Sequence, residues 1–290
     1  MDSNQLDPRI NALRADLAAE SLRGRVDAPH YAEGKKFQIV ASLAPMRHEP
    51  RFDARLDTEM LFGETLTVYD EAEGWAWAQT DGDSYVGYVP TGALSEEIVA
   101  GTHRVSALRS HVYPAPDIKV PPLDQLSMNA CLVVAEEDGR FAQLLDGRFV
   151  VAAHIVRDGE VVDDFVAVAE RFAGTPYLWG GRTSLGLDCS ALVQLSLQAA
   201  GIACPRDTDL QEAALGEALG DPLDMSALQR GDLVFWEGHM GVMLDSDQLL
   251  HADAHHMAVT AEPVAEAISR IAGTKGPVTS IRRLGKSKPA

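Results

Sequence analysis

The stretch Leu187-Asp188-Cys189-Ser190-Ala191-Leu192-Val193-Gln194-Leu195-Ser196-Leu197-Gln198-Ala199-Ala200-Gly201 reads as a helix with both ends encoded. Asp188 is a suitable N-cap, because its carboxylate can accept from the first unpaired amide groups. Leu192, Leu195 and Ala199 recur at helical spacing from Ser190 to Ala200, and Gly201 suits the residue that closes a helix. Cys189 therefore falls in the first turn, where unpaired N–H groups and the helix dipole favour a thiolate. A cysteine ahead of an amphipathic helix is more often a small buried residue. Its neighbours decide between the two readings.

Upstream, Phe165 to Ala173 is a helical run stopped by Gly174 and Pro176, followed by the glycine-rich turn Trp179-Gly180-Gly181. Downstream, Asp232 to Trp236, Gly238 to Leu244 and Leu249 to Ala252 read as strands of an antiparallel sheet. Helices first and sheet second define an α+β domain over residues 159–290. A free thiol is only a few per cent ionised near neutrality, so a nucleophilic cysteine needs an imidazole beside it. His239 and His251 lie on consecutive strands joined around Asp245-Ser246-Asp247. If that loop holds three residues, His251 pairs with Gly241 and lies diagonal to His239 on one face. His239 would then be the base toward Cys189, and His251 would orient it.

The N-terminal half has a different texture. Ile10, Leu13, Leu17 and Leu22 recur at near-helical spacing after Asp7-Pro8, so an N-terminal helical segment ending near Gly24 is expected within residues 1–36. Residues 37–98 alternate in short runs cut by turns, such as Trp75-Ala76-Trp77-Ala78-Gln79 before Asp81-Gly82, which predicts a small antiparallel barrel. Residues 103–158 echo it, with Phe141-Ala142-Gln143 and Asp146-Gly147 about one 64-residue period later. Trp75, Trp77, Tyr85 and Tyr88 read first as barrel core and rim.

The 290 residues, 46% of them hydrophobic, suffice for two or three cores. Forty-three acidic against 25 basic residues give a net charge of -18, which repels nucleic acid, anionic membranes and acidic wall polymers, so small peptides or neutral partners are expected. Cys131, Cys189 and Cys204 have neither disulfide-framework nor metal spacing, and Cys131 and Cys204 read as structural. His251, Asp253, His255 and His256 form a histidine-rich run, but alternation sends neighbours to opposite faces, and no metal or other cofactor is expected. Met1 to Lys36 lacks the apolar run of a signal peptide and no stretch has the length of a membrane span, so a cytoplasmic location is expected.

Taken in order, Tyr177-Leu178-Trp179-Gly180-Gly181, Leu187-Asp188-Cys189-Ser190, Arg230 to Trp236, His239-Met240-Gly241-Val242 and His251-Ala252 resemble the NlpC/p60 cysteine peptidases. With two SH3-like β-barrels ahead of a papain-like α+β domain, the chain resembles the three-domain dipeptidyl peptidases that cut γ-D-glutamyl bonds to a diamino acid in peptidoglycan stem peptides. The resemblance implies Cys189 as nucleophile, His239 as base, His251 as orienting residue and Tyr177 as an oxyanion donor beside the Cys189 backbone N–H. It implies that Asp207, eighteen residues after the cysteine, grips the free amine of an N-terminal L-alanine, and that Trp179, Asp188, Ser190 and Thr208 line the same pocket. The first barrel would add a tyrosine, Tyr85 with Tyr88 as competitor, and an acidic residue for which Asp57, Glu59 and Glu64 all lie in suitable loops. The family usually has glycine where this chain has Ala191, a change that favours the helix. Arg182 suits either a substrate carboxylate or solvent. The implied partner is a small muropeptide with a free N-terminal L-Ala, met in murein peptide recycling. A wall-lysing endopeptidase, a non-catalytic muropeptide-binding protein and a lipid acyltransferase are the other readings.

Overall fold

The computed structural model describes residues 6–222 and 224–285. The chain divides between Asp158 and Gly159 into two units. In the first unit the expected N-terminal helix does not form. Leu17–Ala19 pairs in parallel with His30–Ala32, and Glu20–Leu22 makes a single 3-10 turn. The apolar side chains that suggested a helix face are used differently: Leu13, Leu17, Ala19 and Leu22 cluster with Tyr69, Trp77, Val86 and Tyr88 of the neighbouring sheet. Helical periodicity is a weak prior, and packing onto Trp77 overrides it.

That sheet has seven antiparallel strands in the spatial order Leu56–Leu61, Leu43–Arg47, Val86–Pro90, Trp75–Thr80, Thr65–Ala72, Lys35–Ile39, Leu94–Ser95. The alternation in Trp75–Thr80 is real, but its inner face is the small one. Ala76 and Ala78 enter the core with Phe37, Ile39, Met46, Leu66 and Tyr85, while Trp77 packs on the N-terminal segment and Trp75 meets Phe52 at 4.9 Å. In residues 103–158, a five-stranded sheet accompanies a three-stranded one centred on His103–Val105. Phe141–Leu144 lies between Val134–Asp138 and Phe149–Val151, just as Trp75–Thr80 lies between Thr65–Ala72 and Val86–Pro90. A 3-10 turn follows each third strand, at Thr91–Ala93 and at Ala152–His154. The sequence repeat is thus a repeat of topology.

The second unit opens with α1 (Phe165–Glu170), whose N-cap Asp164 accepts from the amides of Val166 and Ala167. It is shorter than its apolar run, because residues to Gly174 continue in i to i+3 turns. Helix α2 (Cys189–Ala199) begins and ends as its sequence dictates. Asp188 caps it through the Ala191 amide, and Gly201 follows it at φ 72°. After α3 (Thr208–Ala214) comes a six-stranded antiparallel sheet, ordered Glu217–Ala218, Ser280–Arg283, Leu233–Trp236, His239–Met243, Gln248–Asp253, Ala258–Pro263. Helix α4 (Val264–Lys275) continues from the last strand, and its Val264, Ala267 and Ile271 pack on Val234, Trp236, Met243 and Leu249. Helix α2 lies against two neighbouring strands, His239–Met243 and Gln248–Asp253. Among the described residues, no helix is long and apolar enough to cross a membrane.

Candidate active site

Cys189, the first residue of α2, is 7% exposed. Its sulfur accepts from the backbone N–H of Met240 and lies 3.8 Å from Thr208 Oγ1. Met240 follows His239 directly, so the thiol sits at the start of the strand that carries the histidine. Burial pushes the thiol up to about 11, the Asp188 carboxylate adds to this, and Thr208, the Met240 amide and Arg206 partly offset it. The helix start favours a thiolate, and desolvation opposes it.

The two histidines meet through the expected hairpin. Leu244 and Gln248 close a loop of three residues, Asp245 to Asp247, and Val242 pairs with Leu250. Continuing that register sets Gly241 opposite His251, and a Cβ at Gly241 would lie 3.1 Å from the His251 Cβ. His239, Gly241 and Met243 share one face of their strand, and Leu249, His251 and Asp253 share the corresponding face of the next. His239 Nε2 lies 2.9 Å from His251 Nδ1, and the Trp236 ring rests 5.7 Å from the His239 ring. Burial lowers the His239 pKa to about 3, with His251 adding to the fall. Burial also lowers that of His251, against the pull of Asp253 and Glu262. A cysteine thiol served by a neutral imidazole can react by passing its proton to a ring nitrogen as the sulfur attacks.

Behind His251 stands a cluster of charged groups. Its Nε2 is 2.8 Å from Glu262 Oε1 and 3.6 Å from Asp253 Oδ2. Asp253 accepts from the His256 backbone N–H and lies 3.0 Å from His256 Nδ1. Potential ligand atoms of His251, Asp253, His256 and Glu262 fall within 4.8 Å of one another. The histidine run therefore has the extra oxygen donor that its sequence did not reveal, since Glu262 arrives from the neighbouring strand. Arg270 of α4 already bonds both Asp253 and Glu262, so a guanidinium supplies the compensating charge.

Asp188 and Ser190 serve the helix start. Arg206, 1% exposed, grips Asp188 with two nitrogens at 3.0 and 2.6 Å and donates to Ser190 Oγ at 2.7 Å. Asp188 also accepts from Ser190 Oγ and from the amides of Gly180 and Ala191. Both side chains are thus engaged within the helix start. Asp207 occupies the N-cap position of α3 but makes no capping bond to it. Tyr177 is half-buried and held by its backbone, with its N–H on Met257 O at 2.9 Å and a bridge to Leu187. Burial pushes its hydroxyl well above the usual range, with the Cys189 and Asp188 charges adding to it. Trp179 is 59% exposed, and Arg182 is buried, hence not solvated.

In the first unit, Tyr85 belongs to the core of the seven-stranded sheet and Tyr88 to the cluster around Trp77. Asp57 is bonded by Arg55 at 2.8 Å, Glu64 accepts from the Leu61 amide, and Glu59 is buried on its strand. Arg206, Glu262 and Arg270 escaped the sequence reading. Arg206 had one available signal, its place beside Asp207 in Pro205-Arg206-Asp207-Thr208.

Comparison with known proteins places this arrangement. Residues 174–272 match the NlpC/P60 family, and residues 46–94 match the bacterial dipeptidyl-peptidase Sh3 domain. The chain thus carries an NlpC/P60 catalytic domain of mixed helix and strand preceded by an SH3-like domain, which supports a cysteine peptidase. Among its relatives is Dipeptidyl-peptidase 6 of Lysinibacillus sphaericus, 25% identical over 241 residues that cover 74% of this chain and 86% of that one. The gamma-D-glutamyl-L-lysine dipeptidyl-peptidase of Bacillus subtilis (strain 168) is 26% identical over 257 residues, 78% of this chain and 84% of that one. The crystal structure of an NlpC/P60 family protein from Bacillus cereus ATCC 10987 shares the fold, with a TM-score of 0.71 at 21% identity over 86% of this chain and 99% of that one.

Proposed function

We propose that the protein hydrolyses the bond between γ-D-glutamate and a diamino acid in free peptidoglycan stem peptides, releasing L-Ala-γ-D-Glu. The observation that carries the reading is the thiol of Cys189 at the start of α2, accepting from the amide of Met240 that follows His239, together with the hydrogen-bonded His239–His251 pair, in a chain similar along most of its length to two dipeptidyl-peptidases. Cys189 Sγ attacks the γ-glutamyl carbonyl while its proton passes to His239 Nδ1, the nitrogen not committed to His251. The Cys189 backbone N–H and the Tyr177 hydroxyl hold the oxyanion, a contribution of roughly 3–4 kcal/mol for one such donor. Collapse expels the diamino acid's amine, which takes the proton back from His239, and leaves a thioester. Water, deprotonated by His239, then releases the dipeptide and the thiol.

Asp207, at the N-cap position of α3, is the carboxylate proposed to hold the free amine. An acetylated amine carries no positive charge for that carboxylate to pair with. The charge of -18 favours a small substrate over an anionic polymer, and a cytoplasmic recycling role is part of the same proposal. The test is to give the protein L-Ala-γ-D-Glu-diamino-acid tripeptide and its N-acetylated twin, with Cys189→Ala as control. Cleavage of the free peptide alone is expected. Equal cleavage of both would make the protein a wall endopeptidase, and cleavage of neither a muropeptide-binding module.

A further inference from the structure

Glu262 lies eleven residues beyond His251, on the strand Ala258–Pro263 that pairs with Gln248–Asp253. His251 faces Thr260 in that register, so Glu262 stands diagonal to it, within reach of a long side chain. A carboxylate accepts hydrogen bonds and cannot donate them. At 2.8 Å from Glu262 Oε1, the His251 Nε2 must therefore carry the proton, and the neutral ring presents a bare Nδ1. That bare nitrogen, 2.9 Å from His239 Nε2, must accept from it. The order propagates one ring further: with Nε2 protonated, the lone pair of His239 is on Nδ1.

We propose that Glu262 is a positioning residue of the reaction, fixing the tautomers of both imidazoles through His251 so that His239 offers Nδ1 to the thiol proton. Asp253 does not hold that role, because it stands 3.6 Å from the same nitrogen and is engaged by His256. Arg270 pairs with the Glu262 carboxylate and fixes it from α4. When His239 becomes an imidazolium, the carboxylate stabilises the charge through His251, a second orienting layer behind the base. The inference rests on the reading of Cys189 as nucleophile and His239 as its base.

The groups facing the histidine pair are Asp253 from its own strand, Glu262 from the next, His256 from the connecting loop, and Arg270 and Lys275 from α4. Removing one negative charge from this set lowers every macroscopic pKa of the coupled thiol and imidazoles, whichever of them carries the proton. Glu262→Met, which cannot accept, is expected to lower kcat about tenfold or more with little change in KM, out of the roughly 10²–10⁴ that a positioned base contributes. Glu262→Gln, which restores an acceptor without charge, should recover most of that rate. In Glu262→Gln both limbs of the kcat/KM pH profile, and the midpoint of Cys189 alkylation by iodoacetamide followed by mass spectrometry, should move down by about half a unit.

Rate losses that only track melting temperature, with limbs unmoved, would show that Glu262 merely anchors Arg270 and would overturn the proposal. Should the variants fail to fold, the wild-type protein labelled with ¹⁵N at histidine decides the matter. Nε2–H tautomers are expected for both rings, and an Nδ1–H His251 would sink the idea. Alkylation and tautomer need no substrate, so failure to cleave the tripeptide would refute the substrate reading without touching these results.

Discussion

Asp207 stands at the N-cap position of α3 and is the carboxylate proposed to hold the substrate amine, so its removal should cost turnover more than it costs the fold. Asp207→Ala is expected to lose less in melting than in activity. Cleavage of the free tripeptide should fall about a hundredfold or more, as when a site's buried polar group loses its partner. Equal losses of stability and activity would make it a structural residue instead. His239 carries a different signature. Its folded pKa of about 3 lies below the ordinary 6.5, so between those values the unfolded chain binds a proton that the folded chain refuses. Stability therefore falls as pH falls through that window, by up to about 1.4 kcal/mol per pH unit for this one ring. His239→Asn should flatten the dependence of melting temperature on pH between about pH 6 and pH 4. An unchanged slope would mean that the ring is already protonated near neutrality.

Helix α2 and the hairpin were legible because local rules govern them. Asp188 and Gly201 are cap chemistry, and a three-residue loop with period-two alternation set Gly241 against His251 before any contact was seen. What the chain did not disclose are contacts made by long side chains across elements: Arg206 to Asp188, Glu262 to His251, Arg270 to Glu262. No spacing rule selects those partners from many equally charged candidates. The N-terminal helix failed for a related reason, since its leucines were claimed by Trp77 from another element. Two substitutions test the elements themselves. Gly241→Ala would put a Cβ 2.9 Å from Leu249 Cδ1 and 3.1 Å from His251 Cβ, pressing the histidine out of place. A loss of about 1–3 kcal/mol is expected from the crowding, with activity falling further than stability. Arg206→Met would strand the Asp188 carboxylate in a buried site and should cost about 3–5 kcal/mol by denaturant titration. A neutral result would show that the cap stands without its guanidinium.

At the scale of the molecule, the division falls between Asp158 and Gly159, inside the exposed run 157–164. Mild proteolysis is expected to cut there first and to release two fragments that each resist further digestion, since each unit holds a buried cluster of its own. First cuts inside either cluster, read by mass spectrometry, would contradict the division. The antiparallel sheets were recognisable from turn spacing and their repeat, while the inward side of Trp75–Thr80 was not, because alternation gives two faces without saying which is inner. One detail of the second unit bears on how such a chain can change over time. Arg206 clamps the residue just before the nucleophile, and its own next neighbour is Asp207. Insertions between Gly201 and Pro205 are taken up ahead of the clamp, and changes after α3 fall beyond it. The interval between the cutting atom and the proposed measuring carboxylate is thus insulated from drift in the surrounding loop, and lineages can vary the loop freely while the ruler keeps its length.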